Sequence, residues 1–312
     1  MAPLADSVRG ATVEVIMRVY ISSPGWKVLN FIVEHCPDVR LNILLTAARM
    51  PRRYKEYLTT FSSIIESVIL DNGAFSAMKS KLDISLSQLL ERFTIHSRLN
   101  QNRYLMVFSP DFEFGPDGFE ANFNHLLDME ALNIMAVPVI HNLKNHEAWT
   151  YSQILPEFIA IGQSKSRRLA SNLFPVVYRL YHEKQIKVHL FGMTEFPLIS
   201  GCPAYSCDSK SWIDDAKTGV VRFWNPEKKE RNKTDVIYFP EDLDQRKPNM
   251  FSRYEYPGID VFNQFLKDQL GISIDDFIGS KRMFYRQVAL VLYYHTLEKV
   301  VTELHLHEGI VF

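Results

Sequence analysis

The feature that most limits what this chain can fold into is a series of short apolar runs recurring every few tens of residues. They are 42–46 (NILLT), 67–70 (SVIL), 104–108 (YLMVF), 134–140 (IMAVPVI), 158–161 (FIAI) and 187–191 (KVHLF). Each is continuously apolar rather than alternating, which is what a strand covered on both faces requires. Between them lie amphipathic segments of helical spacing, including 85–99, 118–132 and 166–184. Strand and helix in alternation give a parallel sheet. No G-x-G-x-x-G or G-x-x-x-x-G-K-[ST] follows any run, and the repeats outnumber those of a usual doubly wound sheet. The pattern therefore predicts a (β/α)8 TIM barrel. In that reading 204–207 (AYSC) is the seventh strand, and 220–224 (VVRFW) belongs to the eighth or to a hairpin beside it.

After Asn225 the texture changes to a charged, proline-bearing stretch. We read 226–280 as an irregular excursion from the barrel and 281–312 as a closing helix, all within one domain spanning 1–312. The 35 Lys+Arg and 36 Asp+Glu nearly cancel, which argues against a protein that coats nucleic acid by overall charge. Three cysteines (Cys36, Cys202 and Cys207) form no paired framework, so a reducing, cytoplasmic setting without disulfides is expected. The N-terminus lacks a signal-like apolar segment, and the apolar run Val288–Tyr294 is far too short to span a bilayer, so no membrane association is expected.

In such barrels the reactive groups project from the C-terminal ends of the strands. The residues immediately after the apolar runs are mostly polar or glycine: Asp71-Asn72-Gly73, Ser109-Pro110-Asp111, His141-Asn142, Gly162-Gln163, Gly192-Met193 and Asp208-Ser209. An aspartate after a strand often only caps the next helix, but Asp71 precedes a glycine and Asp208 lies between Cys207 and Ser209, so capping suits neither. Carboxylates without a metal-ligand cluster suit attack on an anomeric carbon and recognition of the N–H edge of a base, and both occur in glycosyl transfer.

The ordered segments LDNGAFS (70–76), FSPD (108–111), IAIG (159–162), HLFG (189–192) and SCDS (206–209) resemble the tRNA-guanine transglycosylase superfamily. The resemblance is closest to its DNA 7-deazaguanine transglycosylase branch of bacteriophages and bacterial modification clusters, and it covers roughly residues 40–225 and the closing helix. It implies a glycosyltransferase that exchanges guanine in DNA for a free 7-deazaguanine base, with the 7-cyano form as the expected incoming base. The exchange needs no cofactor and runs through a covalent aspartyl–nucleic acid intermediate. By this resemblance Asp208 is the nucleophile, Asp71 binds the base and moves protons, and Asp111 and Gly162 recognise the base. His141 stands where relatives often carry a base-reading glutamine. Gly192 closes the same rim, and Phe75 is either an apolar wall for the base or a packing residue. Accessory DNA-handling proteins are compatible partners, as is a homodimer, and a phage-encoded chain would work in the host cytoplasm.

Ala74 and Ser76 replace the second glycine and the glutamine of the family's D-S-G-G-F-Q motif. The tRNA enzymes resemble one another in a cysteine-rich zinc subdomain, and no cysteine follows Cys207, so DNA is favoured over tRNA and no metal is expected. The alternatives are a tRNA-guanine transglycosylase, a non-catalytic nucleic-acid-binding subunit of such an enzyme, and an unrelated barrel glycosidase. Basic residues on the expected rim, Arg49, Arg52, Arg53 and Lys55 after one strand and Lys165, Arg167 and Arg168 after another, are candidates for phosphate contact. His305 and His307 have H-x-H spacing but read as surface or interface residues of the last helix.

Overall fold

A computed structural model describes residues 17–51, 53–74, 77, 85–113, 118–144, 146–162, 169–240 and 247–312. The main sheet is built from β1 (Arg18–Ser22), β2 (Leu41–Thr46), β3 (Ile65–Asp71), β4 (Met106–Phe108), β5 (Ala136–Val137), β6 (Val139–Ile140), β7 (Phe158–Ile161), β8 (Lys187–Leu190) and β9 (Ser206–Ser209). Every pairing is parallel, in the order β5-β4-β3-β2-β1-β9-β8-β7-β6. β5 and β6 are two halves of one strand interrupted at Pro138, so the nine segments make eight staves. Proline has no N–H to give the ladder. The first half of the broken strand pairs with β4, the second with β7, and the barrel closes across it.

The first stave is one the apolar-run rule passes over. In β1, Val19 and Ile21 join the outer core under the helices, while Tyr20 joins the barrel-interior cluster with Leu44, Ile69, Met106 and Phe108. An inward arginine at position 18 and an inward tyrosine at 20 break the continuous apolarity that marks the other staves. With β1 in place, 42–46 becomes the second stave and 206–209 the eighth. The segment 220–224 is the hairpin strand: β10 (Val220–Trp224) pairs antiparallel with β11 (Thr234–Tyr238), which pairs with β12 (Phe251–Ser252) in a separate small sheet.

Helices alternate with the staves: α1 (Trp26–His35), α2 (Tyr54–Thr60), α3 (Leu86–Asn100), α4 (Gly118–Ala131), α5 (Glu147–Gln153), α6 (Ala170–Lys184), α7 (Phe196–Ile199) and α8 (Ser211–Lys217). α3 starts where the sequence offers a capping box: Ser85 Oγ accepts from Gln88 N, and Gln88 Oε1 accepts from Ser85 N. The excursion carries α9 (Ile259–Leu270), whose Phe262, Leu266 and Leu270 pack into the main core, so its charged residues coat an ordered element. The closing helix is α10 (Arg282–His307), which packs on β10, α8 and β1. No helix among the described residues is long and apolar enough to cross a membrane.

Candidate functional site

Asp71 is the last residue of β3, in register with Thr46 at the end of β2, and Thr46 Oγ1 donates to Asp71 Oδ2 at 3.0 Å. The chain then turns through Gly73 at φ +85°, where a Cβ would lie 2.6 Å from the Cβ of Ala48, so only glycine fits. Asn72 ties this turn to the next stave. Its Oδ1 accepts from Ala74 N at 2.8 Å, while its Nδ2 donates to Asp111 Oδ1 at 2.8 Å and to Ser109 O at 3.1 Å.

The line continues around the rim. Asp111 Oδ2 lies 3.1 Å from Nε2 of His141, which comes directly after the broken stave. The loop carrying His141 is anchored by the buried Glu147 of α5, whose Oε2 accepts from the N–H groups of His141 (2.7 Å) and Asn142 (3.0 Å). Gly162 N donates to Ile140 O at 2.8 Å, so that N–H is committed to the barrel ladder. Gly162 supplies room instead, since a Cβ there would sit 2.8 Å from both His141 Cε1 and Val139 Cγ1.

On the other side, Asp208 lies near the end of β9 with its side chain largely buried, and its Oδ1 accepts from Gly192 N at 2.6 Å. His189 lies behind it, fully buried, with Nδ1 2.8 Å from Ser206 Oγ and Nε2 3.7 Å from Asp208 Oδ1. Burial holds the His189 pKa below the usual histidine value, against the pull of Asp208. Its ring packs in the barrel interior with the fully buried Phe108 (4.9 Å between centroids) and the half-buried Phe191 (4.7 Å).

The electrostatics centre on Asp71. Withdrawal from water, reinforced by the negative charges of Asp111 and Asp208, pushes its pKa up to about 7 despite the hydrogen bonds from Thr46 and Gly73. The rim therefore holds a carboxyl that can carry a proton near neutrality beside a second carboxyl, Asp208, oriented by a backbone N–H. A pair built this way can divide the work of acid and nucleophile.

Of the residues singled out from sequence, Asp71, Asp111, His141, Gly162, Gly192 and Asp208 are brought to one rim. Phe75, Arg52, Lys165, Arg167 and Arg168 lie outside the described residues. Arg53 is exposed and ion-paired with Glu56 one turn along the chain. Sequence reading did not single out Thr46, Glu147 or His189. The signal for His189 was present, as a histidine alternating with apolar residues in 187–191 must face one side of a buried strand. Among the described residues no group of three or more His, Cys, Asp or Glu side chains is placed to hold a metal ion. The H-x-H pair divides, with His305 buried and its Nε2 3.1 Å from Ile199 O, and His307 exposed.

The sequence matches no model of a known protein family, and no curated protein. Solved structures similar in shape include a Coccidioides immitis protein described as a candidate fructose-1,6-biphosphate aldolase, at 8% identity and a TM-score of 0.46, covering 94% of this chain and 93% of that one. Another is the YdjI aldolase from Escherichia coli K12, at 10% identity and a TM-score of 0.41, covering 65% of this chain and 78% of that one. Likeness at this level carries nothing about the chemistry of the rim.

Proposed function

We propose that this barrel is an enzyme exchanging a base in DNA, replacing guanine with a free 7-deazaguanine through a covalent intermediate on Asp208. The observation that carries the reading is the rim trio, in which Asp71, with its pKa pushed up to about 7, feels the charge of both Asp111 and Asp208. In the first step an Asp208 oxygen attacks C1′ of the nucleotide, and the electron pair of the C1′–N9 bond leaves with the guanine. Asp71 in its protonated form delivers a proton to that departing base. In the second step the incoming base gives its N9 proton to the Asp71 carboxylate, and N9 attacks C1′ and displaces Asp208. One glycosidic bond is broken and one made, so no energy source is needed and the configuration at C1′ is retained.

The remaining contacts support this assignment of parts. Gly192 N aims one Asp208 oxygen and leaves the other for attack. Asn72 and His141 hold Asp111 from two sides, which presents it as an acceptor to the N–H edge of a base. Phe191, half-buried and backed by the fully buried Phe108, offers an apolar edge to such a base, and the target must leave its stack to reach it.

The test is exchange of isotopically labelled guanine in DNA and in tRNA against free 7-cyano-7-deazaguanine, read by mass spectrometry of released nucleosides. Incorporation into DNA that vanishes in Asp208→Ala upholds the reading. Incorporation into tRNA alone transfers the chemistry to the other polymer, and exchange at the wild-type rate by Asp208→Ala removes the nucleophile assignment.

A further inference from the structure

We propose that a groove running from the rim along α2 and α3 holds a single-stranded stretch of DNA beside the nucleotide being exchanged. The inference rests on the base-exchange reading above and adds where the strand lies. Two cavities make up the groove. The one nearer the rim, about 310 Å³, is lined by Ala47, Ala48, Arg49, Met50, Arg92 and His96. The second, about 570 Å³, continues from Arg92 and His96 to Tyr54, Lys55, Ile95 and Leu99.

Continuity with the site comes from the backbone. Ala48 is the residue against which the Gly73 turn packs, and Thr46, one step before the groove floor, holds Asp71. The short turn Ala47–Arg49 in turn packs against α3. A strand with one nucleotide at Asp71 and Asp208 thus meets the groove at once.

The lining then specifies the occupant. Arg49, Lys55 and Arg92 are exposed, and among the described residues no carboxylate lines either cavity and none of the three is ion-paired. His96 is not a fourth cation: burial and the nearby Lys55 lower its pKa, and its Nε2 lies 2.6 Å from Tyr104 OH. Its ring instead meets Tyr54 edge-on at 4.9 Å between centroids. Tyr54 is fixed by donating its hydroxyl to Asn100 Oδ1 at 2.8 Å. Ile95 and Leu99, 53% and 76% exposed, complete an apolar face one helical turn apart.

Cations interleaved with aromatic and aliphatic surface match a polymer that alternates phosphates with flat bases, and only unpaired bases can reach the apolar face. A duplex buries those faces in its own stack. An acidic peptide satisfies the cations but leaves Tyr54, Ile95 and Leu99 without a counterpart.

The experiment is fluorescence anisotropy of a labelled guanine-containing 12-nucleotide single-stranded DNA across a salt series, with Arg92→Glu, Lys55→Glu and Leu99→Asp as variants. All three positions are exposed, and thermal melting checks that each variant folds. Each charge reversal is expected to weaken binding at least tenfold and to lower the slope of log K against log salt by about one. Leu99→Asp is expected to weaken single-strand binding and leave duplex binding unchanged, and polyglutamate of equal charge is expected to compete poorly. Affinity and salt slope unchanged in the charge variants, no binding of the single strand by the wild type, or equal competition by polyglutamate would each overturn the groove. Asp208→Asn separates the two readings, because it is expected to bind the strand normally while forming no adduct. If groove variants fail to bind and the wild type exchanges no base, the groove stands and the base-exchange reading falls. Base exchange with groove variants binding normally does the reverse.

Discussion

The two mouths of the barrel each hold a carboxyl group whose pKa is pushed up to about 7, and the two are built for opposite ends. At the N-terminal mouth Glu298 of α10 sits buried with Oε2 accepting from Val19 N at 2.6 Å and from Asn42 Nδ2 at 2.8 Å. Asn42 Oδ1 accepts from Ser67 Oγ, which meets the Tyr20 hydroxyl, and Arg18 donates to the hydroxyl of Tyr205. Burial raises Glu298 and the charge of Glu66 adds to the rise, while the donors Val19 N and Asn42 Nδ2 and the charge of Arg18 oppose it. At the C-terminal mouth burial raises Asp71 too, but its strongest charged neighbours are the carboxylates Asp111 and Asp208. A raised pKa by itself reports loss of water; what separates the two mouths is that Glu298 is tied down by two N–H donors and balanced between Glu66 and Arg18, whereas Asp71 faces two further carboxylates.

The largest effect should come from breaking the C-terminal cluster at Asp208. Asp208→Ala is expected to abolish the covalent adduct on denaturing gels and to cut base exchange by about 10⁴-fold, with the melting temperature little changed. Asp71→Asn should come next at about 10²- to 10³-fold, the usual weight of one proton-transfer group. In the wild type the first half-reaction should decline as pH rises through 7, because Asp71 then loses the proton it delivers. That decline should disappear from the residual activity of Asp71→Asn, and a pH profile unchanged by the substitution would remove Asp71 from proton transfer.

Glu298→Gln probes the other mouth, and there the readout is stability. The folded pKa of Glu298 lies above its ordinary 4.5, so its contribution is fully present below that value and is lost as pH rises through about 7. The shift corresponds to at most about 3 kcal/mol. The loss of melting temperature between pH 5 and pH 8 should shrink in Glu298→Gln, with base exchange within about twofold of wild type at pH 6, a margin small beside one proton-transfer group. Equal loss of exchange and stability would mean that the two mouths are coupled.

The same contrast explains what was legible from the residues alone. Six staves announced themselves as apolar runs, the segment 204–207 was added once a barrel was inferred, and the C-terminal ends of these seven pointed to Asp71, Asp111 and Asp208 by position. β1 did not, because its inward face carries Arg18 and Tyr20, members of the N-terminal polar network, and a strand with such residues loses the pattern that identifies the others. The hairpin role of Val220–Trp224 was undecidable locally, since an apolar strand reads the same whether its partner lies in the barrel or beside it. At the site, residue types were visible and partners were not. Nothing in the spacing joins Asn72 to Asp111, 39 positions away, or Gly192 to Asp208, 16 away. Those bonds exist because closing the barrel brings strand ends together.

The smallest and most discriminating change is Gly162→Ala. Its N–H stays in the ladder to Ile140, so the added methyl alters only space, and that space is taken 2.8 Å away by His141 Cε1 and Val139 Cγ1. Val139 is fixed within a barrel strand, and the backbone of His141 is held by Glu147, so the imidazole ring is the part that yields, swinging away from Asp111. Such overpacking costs about 1–3 kcal/mol when nothing can move and less when a ring can turn. A loss of about tenfold in kcat/KM is expected, equivalent to about 1.4 kcal/mol. In a His141→Ala background the methyl has no ring to displace, and the same substitution should cost almost nothing. A penalty undiminished in that background would show that Gly162 meets the base directly, placing it among the binding groups rather than beneath them.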